Sequence, residues 1–463
     1  MAALDGKLKT TVGSIAPLAL EYTAGEDLIL DRELVDADCI GSAAHVVMLS
    51  QIPVRPRLFT RTDAARVVGE LERIRRLARK GQFTITIADQ DVHLAVERVL
   101  TARLGDLGRR VHTGRSRNDQ VAVDLRLYAK ERLLAVETEL LALASVLTSF
   151  AYRWRRAPMV GRTHMQPAMP STVGLWASAY AEGLLEDLVL LRSAYDLNDR
   201  CPLGSAAGYG VPLPIDRRLT AQLLGFAAPC HNVIAAANTR GKLESTILMA
   251  LSQVMLTLSR LAQDLMIFTM PEFGYFRLPP DLCTGSSIMP QKNNPDILEL
   301  LRARASGMLA DAFGVADMVK GLPSGYNRDL QETKAPFMRG FKVVLASLGV
   351  MRPLMSGLAV DREALLRGFK PAVFATDRAL ELTAGGMPFR DAYQYVKEHL
   401  ADLEDVDPAV AIARKTHLGA TAGLDWPGLR RRITQEKLVT SRQRRYFQRK
   451  IDKLMAMGHG TGD

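Results

Sequence analysis

VAVDLRLYAKERLLAVETELLALASVLTSFAYRW, residues Val121 to Trp154, runs without a glycine or a proline. Its apolar residues recur at steps of three and four, and Ala, Leu, Glu and Arg dominate, so the pattern predicts a helix. A helix of about 35 residues is roughly 50 Å long, more than a compact domain needs. Lys242 to Thr269 is equally free of breakers, and Thr172–Leu197, Pro295–Lys320 and Gln331–Leu358 share the pattern with a few Gly or Pro residues. In the Lys242–Thr269 stretch Leu243, Ile247, Leu248, Ala250, Leu251, Val254, Met255 and Leu256 leave little polar surface. A helix apolar nearly all round must be buried, and the expected burial is against other subunits. The predicted fold is all-α, an elongated bundle that oligomerises through its sides.

The rest of the chain fits that frame. It has 463 residues, 48% hydrophobic and 24% charged, which excludes global disorder and a collagen-like or disulfide-stapled fold. Cys39, Cys201, Cys230 and Cys283 are scattered, with no zinc or redox spacing. Met1–Lys9 has no apolar signal core, and no run of about 18 apolar residues stands out, so the expectation is a cytoplasmic protein that enters no membrane. No glycine-rich phosphate loop of the usual spacing is present either. The net charge is +10, but Arg430–Lys450 holds nine basic residues against Glu436 and so accounts for +8 of it. The excess belongs to one C-terminal segment, which reads as a solvated basic helix; nucleic acid is not an expected partner.

Pro/Gly-rich punctuation at 159–170, 201–214, 274–295 and 321–327 separates the helices, and connectors on a rigid scaffold are where functional groups tend to sit. Four polar clusters lie at or near such breaks. His112-Thr-Gly-Arg-Ser-Arg-Asn-Asp-Gln120 is either a helix cap with solvated arginines or an anion subsite at a helix N-terminus. Gly161-Arg-Thr-His-Met-Gln-Pro167 keeps His164 beside a turn, able to exchange protons. Thr284-Gly-Ser-Ser-Ile-Met-Pro-Gln-Lys-Asn-Asn-Pro-Asp296 offers Lys and Asn donors to carboxylates, with two prolines limiting its freedom. No G-x-S-x-G elbow surrounds Ser286, so a hydrolase triad is not assigned. Tyr326-Asn-Arg-Asp-Leu-Gln-Glu-Thr-Lys334 reads as a solvated first turn or as ligands at a helix start.

These four motifs, in this order, resemble the fumarase/aspartase superfamily. The third resembles its G-S-S-x-M-P-x-K-x-N-P loop, and HTGRSRNDQ and YNRDLQETK are similar to the argininosuccinate lyase branch. The likeness runs from about Asp31 to Phe389. It implies a three-domain subunit (here 1–112, 113–358 and 359–463) whose central long-helix bundle forms a homotetramer core with shared active sites. It also implies anti elimination of an N-substituted aspartate to fumarate and an amine or guanidine, with a small-molecule substrate and no metal or organic cofactor. On this resemblance Ser286 and His164 are the proton-transfer pair, Ser286 taking the Cβ proton, and Glu299 raises the basicity of the histidine. Lys292 and Asn294 stabilise the carbanion-like carboxylate; Thr163, Ser116 and Asn118, beside Arg117, bind the succinyl carboxylates. Tyr326, Gln331 and Lys334 hold the amino-acid end, and Asp91 and His93 match a D-[IV]-H element near the site.

The sequence departs from the family at identifiable places. W-G-G-R-F is absent, with Lys9-Thr10-Thr11-Val12-Gly13 about there. Gly25-Glu26-Asp27 replaces Asn-Ala-Ser, Arg240-Gly241 replaces Arg-Asp, Asn293 breaks the K-K-N run, and Pro167 follows T-H-x-Q. A carboxylate at Asp27 repels an α-carboxylate and attracts a cation. The chain therefore reads as an argininosuccinate lyase or as a relative releasing fumarate from another N-succinyl amine. A non-enzymatic helical tetramer is the third reading, and the intact Ser286, His164, Lys292 and Asn294 count against it.

Overall fold

The computed structural model describes residues 8–10 and 13–459, with side chains from Ile15 to Gly458. The signal reading of the first residues falls almost wholly outside that range, as do Thr11 and Val12 of the segment standing in place of W-G-G-R-F.

Five long helices form the centre: Arg117–Arg153, Val173–Asn198, Lys242–Thr269, Asp296–Val319 and Lys334–Gly357. The first begins where Ser116 and Asp119 make a reciprocal capping box, so the polar run before it terminates the helix as well as furnishing groups for chemistry. Thr172 caps the second by accepting from the Leu175 N–H at 2.9 Å. The 37-residue helix packs on Val173–Asn198, on Lys334–Gly357 and on the C-terminal helix, while Lys242–Thr269 packs on Val173–Asn198, Asp296–Val319 and Lys334–Gly357. The all-round apolar reading of Lys242–Thr269 is thus answered mostly within its own chain: Ile247, Leu248, Leu251, Val254, Met255 and Leu258 are all fully buried there. The apolar surface left over lies elsewhere in the bundle, with Phe313 62% exposed and Leu300 and Val189 more than half exposed.

Arg117–Arg153 and Lys242–Thr269 are long and apolar enough to cross a membrane, yet 61% of each such window is buried inside the fold. The sequence expectation saw no span of that kind; the length test is met because core helices of this size look alike to it.

Shorter helices, Val35–Leu49, Arg61–Arg79 and Val92–Leu104, cluster at the N-terminal side and pack on one another. The C-terminal helix Trp426–Met455 returns to lie along Arg117–Arg153 and Val35–Leu49. Ile433, Phe447, Ile451 and Leu454 form its buried stripe, while Arg431, Arg442, Arg445 and Arg449 face outward. The basic segment is therefore an amphipathic helix anchored in the core. Its single acid, Glu436, is spent on Arg192.

One connector differs from its expected form. Residues 159–170, read as a proline-punctuated loop, fold as a hairpin in which Pro158–Thr163 pairs antiparallel with Gln166–Thr172. Its two-residue turn is His164-Met165, both at positive φ (52° and 64°), the geometry that matches the twist of the flanking strands.

Candidate active site

A cavity of about 180 Å³ opens where five distant stretches of the chain meet. Asp27 and Asp31 come from the N-terminal turns, Gln90, Asp91 and His93 from the start of the Val92–Leu104 helix, and Arg117 and Asn118 from the first turn of the longest helix. Arg240, Tyr326, Arg328, Gln331 and Lys334 close it from the other side. Eight residues singled out in the sequence thus share one wall: Asp27, Asp91, His93, Arg117, Asn118, Tyr326, Gln331 and Lys334.

Helix starts supply most of these groups. Asp91 caps Val92–Leu104 by accepting from the Leu94 N–H at 2.9 Å, and its other oxygen lies 3.2 Å from Arg117 Nε. Arg117 also reaches the Gln90 side chain at 3.4 Å, and one of its terminal nitrogens is buried without a partner. A guanidinium held by one acid with a free donor is suited to gripping an anion. Ser116 is occupied differently from its expected role: its hydroxyl accepts from the Asn118 N–H at 3.2 Å as the helix cap. Asp119 completes that cap, accepting from the Ser116 N–H and from the Gly204 and Ala206 N–H groups, each at 2.9 Å.

The far end is built around Lys334. Its ammonium, 3% exposed as a residue, donates to Asp27 at 2.8 Å and to Asp31 at 2.6 Å. Burial alone would depress this ammonium, but the two carboxylates outweigh it and hold Lys334 above the ordinary lysine range. Burial pushes the Asp27 carboxyl up, against the pull of Lys334 and with the repulsion of Asp31. Asp31 further accepts from the Val92 N–H at 3.0 Å, which stitches the N-terminal turn to the wall. Gln331 and Arg328 both donate to the Thr23 carbonyl, at 3.0 and 2.6 Å. Arg240 pairs with Glu244 at 2.9 Å and donates to the Leu330 carbonyl, leaving one buried nitrogen free.

The Arg240-Gly241 departure has a steric cause. Gly241 sits at φ +71°, and a Cβ there would meet Val319 at 2.2 Å, so the aspartate of the family pattern has no room.

His93 is the one imidazole in the cavity wall. Its Nδ1 lies 2.7 Å from Asp38 and 3.6 Å from Asp124. Burial alone would lower its pKa, but Asp38, Asp91 and Asp124 raise it to about 9. Asp38, His93 and Asp124 are also the one group among the described residues whose donor atoms lie close enough, within 4.8 Å, to suggest a metal. The 2.7 Å contact between His93 Nδ1 and Asp38 is of hydrogen-bond length.

The remaining expected groups lie outside this cavity. Thr163 and His164 are exposed at the hairpin tip. Ser286 sits in a loop closed by Thr284–Gly285 pairing with Asn293–Asn294, where its hydroxyl accepts from the Met289 N–H at 3.1 Å. Lys292 and Glu299 are exposed and Asn294 is half-buried. Within one chain, the residues expected to transfer protons therefore lie apart from the cavity that gathers the expected binding residues.

Asp31, Gln90, Arg240 and Arg328 belong to the wall and were not singled out from the sequence. Asp31 and Arg328 stand within or beside motifs already quoted, but nothing in one sequence says that Asp31 meets a lysine 303 positions away.

The chain is similar to proteins of one family. The profile of the family described as Lyase matches residues 26–309. The argininosuccinate lyase of Sorangium cellulosum is 44% identical over 414 residues, covering 89% of this chain and 95% of that protein. The argininosuccinate lyase of Thermotoga neapolitana is 39% identical, covering 82% and 94%. Among solved structures, an EDDS lyase in complex with formate superposes with a TM-score of 0.81 at 21% identity over 95% of this chain and 94% of that one. A fumarate lyase:delta crystallin from Brucella melitensis gives 0.69 at 20% identity, over 92% and 99%. At those identities the structures speak for the fold alone. Members of the family act on small molecules and are typically oligomeric.

Proposed function

The chain belongs to the argininosuccinate lyase branch of the lyase family, and from that premise we propose that it splits argininosuccinate into fumarate and arginine. The observation that carries this reading is the single wall gathering Arg117, Asn118, His93, Tyr326, Gln331 and Lys334 from segments far apart in the chain. Cations and amide donors there suit a succinyl dianion at one end, and the Asp27–Lys334–Asp31 group suits the amino-acid end.

In the elimination a base removes a Cβ proton, the C–N bond breaks as the C=C bond forms, and the departing nitrogen takes a proton. The proton leaves a carbon beside a carboxylate that is already negative, so fixed donors aimed at the developing charge supply most of the catalysis. Ser286 is the base and His164 its partner in proton transfer, with Glu299 behind the histidine. Lys292 and Asn294 steady the doubly charged carboxylate, and Thr163, with Ser116 and Asn118, binds the succinyl end. Since the two halves are apart within one subunit, the hairpin tip and the Ser286 loop reach the wall of a neighbouring copy in a homotetramer. The units 1–112, 113–358 and 359–463 serve as flank, bundle and cap of that assembly, working in the cytoplasm.

A second reading rests on Asp27. With two carboxylates around one ammonium the amine end is rich in negative charge, which favours an N-succinyl amine lacking a free α-carboxylate. Purified protein given argininosuccinate should raise the ultraviolet absorbance of fumarate. No rise there, with adduct formation from fumarate and another amine, selects the second reading.

A further inference from the structure

Nothing in the proposed reaction uses Asp38 or Asp124. Both are buried carboxylates, 2% and 0% exposed, on two different helices behind the cavity wall. Asp38 Oδ2 and both oxygens of Asp124 have no hydrogen-bond partner. Burying such groups is costly, and one oxygen of each lies beside the His93 ring, at 2.7 and 3.6 Å from Nδ1. Asp38 comes from Val35–Leu49, His93 from Val92–Leu104 and Asp124 from Arg117–Arg153, so the ring is pinned where three helices converge.

We propose that Asp38 is a positioning residue for this site: through its 2.7 Å bond to Nδ1 it orients the His93 ring and keeps it a cation in the cavity wall, where it holds a carboxylate of the substrate. Asp124, at 3.6 Å, closes the other side and limits ring rotation. The proposal rests on the cavity being the substrate site.

The geometry sets the sign of the effect. Of the charged groups around the ring, Asp38, Asp91 and Asp124 favour the imidazolium against burial, while His112 repels it. His112 is itself lowered, by burial first and then by Arg115 and His93. Asp124 is pushed up by burial first and then by the neighbouring Asp38. A histidine held at about 9 is about nine-tenths charged at pH 8, whereas one at the ordinary value is charged to only about 3%, a difference of about thirtyfold.

The test measures binding of succinate, an unreactive four-carbon dianion, by titration calorimetry from pH 6 to pH 10, beside kcat and KM for argininosuccinate. Wild-type affinity should be flat to pH 8 and fall above about pH 9. Asp38→Asn should bind succinate up to about thirtyfold more weakly at pH 8 and recover towards pH 6. His93→Gln should be weak at every pH, and adding Asp38→Asn to it should change nothing further. An Asp38→Asn protein with wild-type affinity and pH profile but a lower unfolding midpoint overturns the proposal, as does an effect that persists in the His93→Gln background. Should Asp38→Asn fail to fold, the wild-type profile alone decides: affinity that falls between pH 6 and pH 8 refutes a charged His93. Succinate binding does not depend on turnover, so a protein inert towards argininosuccinate would sink the proposed reaction and leave this test standing.

Discussion

Replacing Lys334 by Met leaves two carboxylates facing one another at the largely buried end of the cavity. In the wild type the ammonium donates to Asp27 at 2.8 Å and to Asp31 at 2.6 Å, with Lys334 and Asp31 almost fully buried. Methionine fills the stem volume but offers no charge, so the loss is electrostatic and not a packing defect. Removing one partner from a buried ionic group costs about 3–5 kcal/mol, because the remaining charges stay desolvated. The pH dependence identifies the cause. Asp27 is already raised by burial, and without Lys334 pulling it down it rises further. A carboxyl raised in the folded state favours folding fully below its unfolded value, and that benefit is lost as pH rises through the folded value. The variant's deficit should therefore be largest at pH 7.5 and shrink towards pH 5 as Asp27 takes up a proton. Guanidinium unfolding of both proteins at the two pH values, at one protein concentration, reads this directly. A deficit under about 1 kcal/mol, or one equal at both pH values, refutes the claim that the two acids depend on Lys334.

Three further outcomes bear on the assembly and the reaction. Ser286→Ala should lower turnover by about a thousandfold while leaving the size-exclusion profile unchanged, and near-normal fumarate production would remove Ser286 from the proton path. Mixed oligomers refolded from inactive Ser286→Ala chains and inactive Arg117→Leu chains should regain a fraction of activity, since some sites then pair an intact wall with an intact Ser286 loop and hairpin tip; no recovery argues for sites made by one chain. Asp119→Asn should cost about 2 kcal/mol, because Asp119 serves the Ser116 cap and two backbone amides of the 204–206 turn at once. An unchanged urea midpoint would show that water replaces it freely.

Much of the scaffold was legible because helical periodicity is a local signal. Lys242–Thr269 was read with its observed limits, and the other four long helices to within a few residues. The hairpin at 158–172 was not, because its turn uses His164 and Met165 at positive φ where Asn-Gly or Gly would have announced it. The motif residues of the cavity were legible through the family resemblance, yet their partners were not. Asp38 sits in an apolar helix and Asp31 in an ordinary acidic turn, and only the fold brings them to His93 and Lys334. The C-terminal charge was legible as a number, but the apolar stripe under it is set by positions 433, 447, 451 and 454, visible once the helix has something to lie against.

In the proposed reaction, the division of labour within one chain makes the subunit alone an incomplete device. The wall is made of helix starts locked by buried ion pairs, which suits binding because preorganised charges need not rearrange. The groups proposed to transfer protons sit at a hairpin tip and in a loop held by a two-residue ladder, with Ser286 engaged only by the backbone of its own turn. A base that must approach carbon benefits from being able to move, whereas a clamp for a dianion does not. Exposed Phe313, Leu300 and Val189 on the bundle sides supply the apolar contact that would bring the two halves together across subunits. Substituting Phe313→Glu should then lower both oligomer size and turnover in step, and a variant that dissociates yet keeps full turnover would show that the halves meet within a single chain after all.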